Sequence, residues 1–281
     1  MERVLVCANE TLGAQKLIEE ILPRAEKGDT EFFLVVPESR PRQGSVIYLE
    51  AVRDAAQVRI DLAKSFMAEH GVHLDGEVGD SDPYAAILDA VREFRPTSII
   101  ISTYPEVRSG WLRRDLIERV EHDTGLPVTH VVADPDSEGL PFKVALVVAN
   151  QTVRGRELHD RLKALAAEEQ YLFIVVVPQE GGEGLHAGDA RRRLGEFLRE
   201  LEGEGLVAAG MIGDPDPYLA TINGLQSFRV SDVIISTFPN MKSRWLRTDL
   251  IDRVQKATTA RVEHVVVDLA ADDATTAEAS A

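Results

Sequence analysis

The chain has 281 residues, 44% of them hydrophobic and 28% charged, and carries a net charge of −16. An acidic balance of that size excludes nucleic acid and anionic membrane surfaces as main partners, because both demand a basic face. A single cysteine, Cys7, excludes an internal disulfide and any cysteine-based metal cluster.

The predicted elements alternate from the start. Residues 3–8 form an apolar run rich in β-branched side chains, a buried strand. Helical spacing follows over 11–25, then a second buried strand over 30–37, a Pro- and Gly-containing loop over 38–45, and a long helix over 46–70. A more polar strand is expected over 72–78. The next helix, 82–94, has Asp82 as N-cap and Pro83 at its first position. A strand over 97–102, a helix over 109–123 and a last strand over 127–133 complete the series. The same order then repeats with strands over 143–149, 172–177, 206–212, 231–236 and 261–268, and helices over 152–168, 189–202, 216–228 and 243–258. Fully apolar strands alternating with helices predict an α/β fold: parallel five-stranded sheets with helices on both faces.

The repetition is a duplication. Asn9 and Asn150, like Pro37 and Pro178, stand 141 positions apart. Gly79 and Gly213, Trp111 and Trp245, His130 and His264, and Asp134 and Asp268 stand 134 apart, so the first copy is seven residues longer between Pro37 and Gly79. A period this long means two domains, not a solenoid. The expected division is a first domain over 1–134, a Pro-bounded linker over 135–141, a second domain over 142–269 and a small acidic tail over 270–281, predicted disordered. No apolar run approaches the roughly 20 residues of a membrane span. The N-terminus enters a strand pattern without a signal-type segment, so a cytoplasmic protein is expected.

The stretch Ser102-Thr-Tyr-Pro-Glu-Val-Arg-Ser-Gly-Trp-Leu-Arg-Arg-Asp-Leu116 recurs as Ser236-Thr-Phe-Pro-Asn-Met-Lys-Ser-Arg-Trp-Leu-Arg-Thr-Asp-Leu250. Each copy runs from a strand end through a loop into a helix start, where open α/β sheets bind ligands. In one reading Ser109 and Ser243 cap their helices, and Arg113 and Arg247, with Arg108 and Lys242, hold an anion near Asn9 and Asn150. In the other, each helix is a capped surface helix whose arginine pairs with a carboxylate. Trp111 and Trp245 serve base stacking or packing. The pairs Asp80/Asp82 and Asp214/Asp216 serve Mg²⁺ or a turn with an N-cap. His130 and His264 serve as ligands or at a strand or subunit interface. The spacing places no nucleophile beside a base, so a non-enzymatic protein is expected and no metal site or catalytic residue is assigned.

A unit of about 140 residues with this element order, duplicated in tandem, resembles the universal stress protein family. Its members open with a strand ending in Asp-Gly-Ser, whose Asp helps recognise adenine. Here Asn9-Glu10-Thr11 and Asn150-Gln151-Thr152 stand in that place. The ATP-binding members carry G-x2-G-x9-G-[ST] after the fourth strand. Here Ser102 and Ser236 stand for the first glycine, Pro105 and Pro239 for the second, and Arg114-Asp115 and Thr248-Asp249 at the third. The resemblance implies stress adaptation through a nucleotide or other phosphate ligand. It implies an adenine nucleotide as the candidate cofactor, while the missing glycines count against ATP. The ligand contacts it suggests are Asn9, Thr11, Ser102, Thr103, Ser109 and Arg113, with Asn150, Thr152, Ser236, Thr237, Ser243 and Arg247 in the second copy. The alternative is a ligand-free scaffold acting through protein contacts. The expected pairing joins the two domains as a pseudo-dimer through their apolar last strands, and a homodimer is a further candidate.

Overall fold

The computed structural model describes residues 2–38, 49–105, 109, 111, 115–179, 185–239 and 249–268. The chain divides into two compact units, Met1–Pro141 and Phe142–Ala281.

In the first unit, strands β1 (Glu2–Cys7), β2 (Thr30–Pro37), β3 (Leu74–Gly79), β4 (Ser98–Thr103) and β5 (Val128–Val132) form one parallel sheet in the order β3-β2-β1-β4-β5. The helices between them are α1 (Gln15–Glu26), α2 (Leu49–Glu69), α3 (Pro83–Phe94) and α4 (Leu116–Thr124). Strand alternation sends Leu5, Cys7, Val35, Ile99 and Ile101 to one face, where they pack with Ala86, Ile87 and Ala90 of α3 and Leu116 and Val120 of α4. Leu34 points the other way, toward Ile60 of α2; both lie 3.1 Å from where a side chain on Gly76 would begin. Fully apolar strands are thus covered on both faces, which is what a parallel sheet requires. Burial raises the Cys7 thiol pKa far above its ordinary value, so Cys7 behaves as a buried hydrophobe.

A short helix, α5 (Pro135–Glu138), stands where the linker was expected, with Asp134 Oδ1 accepting from the Asp136 amide at 3.3 Å. The second unit repeats the architecture with β6 (Lys143–Val148), β7 (Tyr171–Pro178), β8 (Val207–Gly213), β9 (Asp232–Thr237) and β10 (Arg261–Val266), in the order β10-β9-β6-β7-β8. Its helices are α6 (Arg156–Glu168), α7 (Leu185–Gly203), α8 (Pro217–Ser227) and α9 (Leu250–Ala257). Leu158, Leu162 and Leu165 of α6 join Ala190, Leu194, Phe197 and Leu201 of α7 over the face made by Ala145, Val147, Phe173, Val175 and Ile234. Gly224 of α8 presses on Leu146 on the opposite face: a side chain there would begin 2.9 Å from the Leu146 methyls. Among the described residues no helix is long and apolar enough to cross a membrane.

The sequence pattern and the structure part company at helix starts. The helices expected from 109 and 243 begin at Leu116 and Leu250, seven positions later. Asp115 (φ 49°) and Asp249 (φ 51°) precede them in the left-handed region, which ends any continuous helical path from upstream. Ser109 therefore does not cap α4; the capping position belongs to Asp115, whose carbonyl accepts from the Arg119 amide at 3.0 Å. The helices expected from 11 and 152 likewise begin at Gln15 and Arg156, after tight turns.

Candidate functional site

In each sheet the chain reverses direction beside its first strand, so β1/β4 and β6/β9 form the switch points. The crevice beyond the carboxyl ends of such strands is where open α/β sheets hold ligands. Polar side chains buried in the described residues concentrate there: Asn9, Thr11, Ser102, Thr103 and Ser109 in the first unit, and Thr152, Ser236 and Thr237 in the second. Arg113, Ser243 and Arg247 lie outside the described residues, as do Arg108 and Lys242.

The loop after β1 is shaped by its own backbone. Leu12 donates to the Asn9 carbonyl and Ala14 to that of Thr11, both at 3.0 Å, with Gly13 at φ 92°. A 3-10 turn, Gln151–Arg154, does the same after β6. These turns bring Thr11 Oγ1 to the Ser102 carbonyl (3.2 Å) and Thr152 Oγ1 to the Ser236 carbonyl (3.3 Å). They also aim the asparagines sideways. Asn9 Nδ2 donates to the Pro37 carbonyl at 2.6 Å, and Asn150 Nδ2 to that of Pro178 at 3.1 Å. Each asparagine thereby ties the end of one strand to the end of its neighbour. Asn150 is held at its other end too: Arg193 Nη2 donates to Asn150 Oδ1 at 2.8 Å.

Thr103 and Thr237 have a second partner. Thr103 Oγ1 lies 2.8 Å from His130 Nε2 and Thr237 Oγ1 2.8 Å from His264 Nε2. Each hydroxyl also reaches the next carbonyl, of Tyr104 at 2.9 Å and of Phe238 at 3.0 Å. A hydroxyl has one proton to give, so when it serves the carbonyl the imidazole must donate from Nε2. Burial lowers the pKa of both histidines, which favours the neutral ring. The strand-interface reading of His130 and His264 is the one this geometry matches.

Ser102 and Ser236 differ from these. Each is 1% exposed, and neither Oγ has a hydrogen-bond partner among the described residues. Alternation from Ile234 places Ser236 on the face covered by α6 and α7. A buried hydroxyl without a partner costs about 1–3 kcal/mol. The same orphan stands at the same position in both repeats.

The paired aspartates read as turns. Asp80 Oδ1 accepts from the Asp82 amide at 2.7 Å, and Asp82 Oδ1 accepts from the Tyr84 amide at 3.3 Å. Asp214 and Asp216 repeat this at 2.8 Å each. Among the described residues no three His, Cys, Asp or Glu side chains gather as a metal would need. Trp111 is half-buried and packs at the edge of the α3/α4 core, the packing reading of that residue; Trp245 lies outside the described residues.

Two features escaped the sequence pattern. The Thr–His contacts join residues 27 positions apart, and only strand register reveals them. Arg193 sits in a run of three arginines on α7, and nothing in that run singles it out. The repeat does contain a signal, for Arg59 stands 134 positions before Arg193.

Similar solved structures include a universal stress protein family member from Burkholderia pseudomallei, at 18% identity and TM-score 0.35, covering 47% of this chain and 96% of that one. A universal stress protein from Archaeoglobus fulgidus matches at 14% identity and TM-score 0.35 over 95% of this chain and 96% of that one. A universal stress protein family protein from Arabidopsis thaliana, solved with AMP bound, matches at 14% identity and TM-score 0.33 over 49% of this chain and 95% of that one. No family model and no curated protein matches the chain. The fold is two tandem α/β units, each with a five-stranded, all-parallel sheet.

Proposed function

We propose that this chain is a tandem universal-stress-like protein that binds a small phosphate compound, such as a nucleotide, at the strand ends of each unit, without catalysing a reaction. The supporting observation is the orphan hydroxyl of Ser102 and Ser236, buried at the switch point in both repeats. A ligand oxygen supplies the partner that each hydroxyl lacks among the described residues, and Thr11 and Thr152 hold the serine backbones in place. Pro105 and Pro239 remove an amide from each phosphate loop, so ATP is a poor ligand beside smaller phosphates. The role in stress adaptation follows from the sequence resemblance.

Mass spectrometry of small molecules released from the purified protein tests this reading. A phosphate-bearing compound retained by the parent and lost from the Ser102→Ala, Ser236→Ala variant is the expected result. Release of nothing, together with no heat of binding for AMP, ATP or inorganic phosphate, overturns it. The scaffold reading then takes its place. It has its own support in Asn150, whose amide and carbonyl are both engaged within the chain.

A further inference from the structure

Helix α6 follows β6 at the switch point of the second unit, and its first turn carries Glu157. One oxygen of that side chain is engaged: Glu157 Oε1 accepts from the Asp268 amide at 3.2 Å. The other, Oε2, is buried and has no hydrogen-bond partner among the described residues. A buried carboxylate oxygen left without a donor costs more than a neutral hydroxyl left so.

Register places this oxygen. Ser236 lies opposite Val265, and the Val267 amide donates to the Thr237 carbonyl at 2.9 Å, so the chain runs on from β10 alongside the end of β9 toward Asp268. Val265 and Val267 share the face of Ile234, which is also the face of Ser236. Gly155, two residues before Glu157, packs on Val267: a side chain there would begin 2.1 Å from Val267 Cγ1. The orphan oxygen of Glu157 and the orphan hydroxyl of Ser236 thus belong to one end of the sheet. Asp268 is three residues past Val265, so at about 3.3 Å per residue roughly 10 Å of strand separates their anchoring points. The first unit repeats the hydroxyl but not the carboxylate. Lys16 stands 141 positions before Glu157, the offset of Asn9 from Asn150, and its Nζ pairs with Glu138 Oε1 of α5 at 2.5 Å.

We propose that the second unit selects phosphate esters that carry a hydroxyl, as sugar phosphates do, with the phosphate at Ser236 and the hydroxyl donating to Glu157 Oε2, and that the first unit makes no such selection. This rests on the reading that the strand ends bind a phosphate compound, and it adds a specificity residue that differs between the repeats. An ionised carboxylate only accepts hydrogen bonds, so it calls for a donor, and it repels a second anion. A bare phosphate on Ser236 is too short to reach Glu157; a phosphate joined to a sugar spans the gap and ends in a donor.

The test is calorimetric titration of the full-length protein with ribose 5-phosphate and with methyl phosphate, an ester without a hydroxyl on its carbon. The parent is expected to bind ribose 5-phosphate about tenfold or more tightly than methyl phosphate at one site, and the two about equally at the other. Ser236→Ala should remove the selective site, and Ser102→Ala should leave it. Glu157→Gln should move the two ligands in opposite directions. Ribose 5-phosphate weakens by about tenfold or more at the selective site, whereas methyl phosphate tightens because a neighbouring negative charge is gone. A residue with a structural role alone would move both ligands the same way. Glu157→Met keeps the length without the acceptor and should act likewise, with far-UV circular dichroism confirming that each variant is folded. Where neither folds, the preference of the parent and the two serine variants decide. Equal affinity for the two esters at both sites of the parent overturns the inference while leaving the phosphate reading standing, as does a folded Glu157→Gln protein that keeps the preference. Loss of the selective site in Ser102→Ala, with its retention in Ser236→Ala, overturns the assignment to the second unit. No binding of either ester by the parent overturns the inference, and the release experiment above decides separately whether the site reading falls with it.

Discussion

Gly155 and Val267 offer a sharp test of how the two repeats solve one packing problem differently. Gly155 precedes α6 with φ −80° and ψ 134°, a conformation any residue adopts. Ala14, at the same place before α1, has φ −62° and ψ 139°. Backbone strain therefore does not demand the glycine. A Cβ on Gly155 would lie 2.1 Å from Val267 Cγ1 and 2.8 Å from Cγ2. Val267 is wholly buried, and its counterpart in the first unit is Ala133, also wholly buried. One unit fills the gap with Gly and Val, the other with Ala and Ala. Gly155→Ala should destabilise the second unit by about 1–3 kcal/mol through overpacking. Val267→Ala should cost about 1.5–3 kcal/mol, as about 0.8 kcal/mol per buried methylene plus a cavity term. The double substitution recreates the Ala14/Ala133 pair, so it should be less destabilised than the sum by about 1–3 kcal/mol. Hydrogen exchange of α6 and β10 amides reads the second unit by itself, and urea unfolding reads the whole chain. Additive effects of the two substitutions would show that the contact does not decide the residue pair.

The remaining predictions concern the strand ends and the opposite end of the second sheet. Mg-ATP should bind more weakly than inorganic phosphate or AMP in parallel titrations, because of Pro105 and Pro239; a submicromolar dissociation constant for ATP sinks that expectation. The folded pKa of His130 and His264 lies below the ordinary value near 6.5. The unfolded chain therefore takes up protons first, so their contribution is full above about pH 6.5 and is lost as pH falls toward the folded pKa. Urea midpoints should fall between about pH 7.5 and 5.5, and fall less in the His130→Gln, His264→Gln variant; equal slopes in both proteins contradict the assignment. Tyr171 Oη donates to the buried Asp232 carboxylate at 2.9 Å, so Tyr171→Phe should cost about 1.5–3 kcal/mol. A urea midpoint unmoved in that variant would mean that solvent replaces the hydroxyl.

The sequence by itself determined the architecture. Alternating apolar strands and amphipathic helices, twice over, leave few folds other than a duplicated parallel α/β unit, because a strand apolar on both sides must be covered on both faces. The N-caps Asp82 and Asp216, each followed by proline, were legible for the same reason: they depend on residues next to one another. The strand ends at which a site is proposed follow from topology, because open α/β sheets hold ligands there. The helix starts were not. Periodicity runs unbroken from Ser109 into α4, and only the folded backbone shows Asp115 and Asp249 in the left-handed region. The partners at the site were equally hidden. Asn9 and Asn150 read as ligand contacts, whereas the fold turns their amides onto neighbouring strand ends. The bonds of Thr103 to His130 and of Arg193 to Asn150 join residues 27 and 43 positions apart. Local pattern decides which segments form elements, because propensity and burial act over a few residues. The side chains that meet at a strand end are set by sheet order and register, which exist only once distant segments have paired.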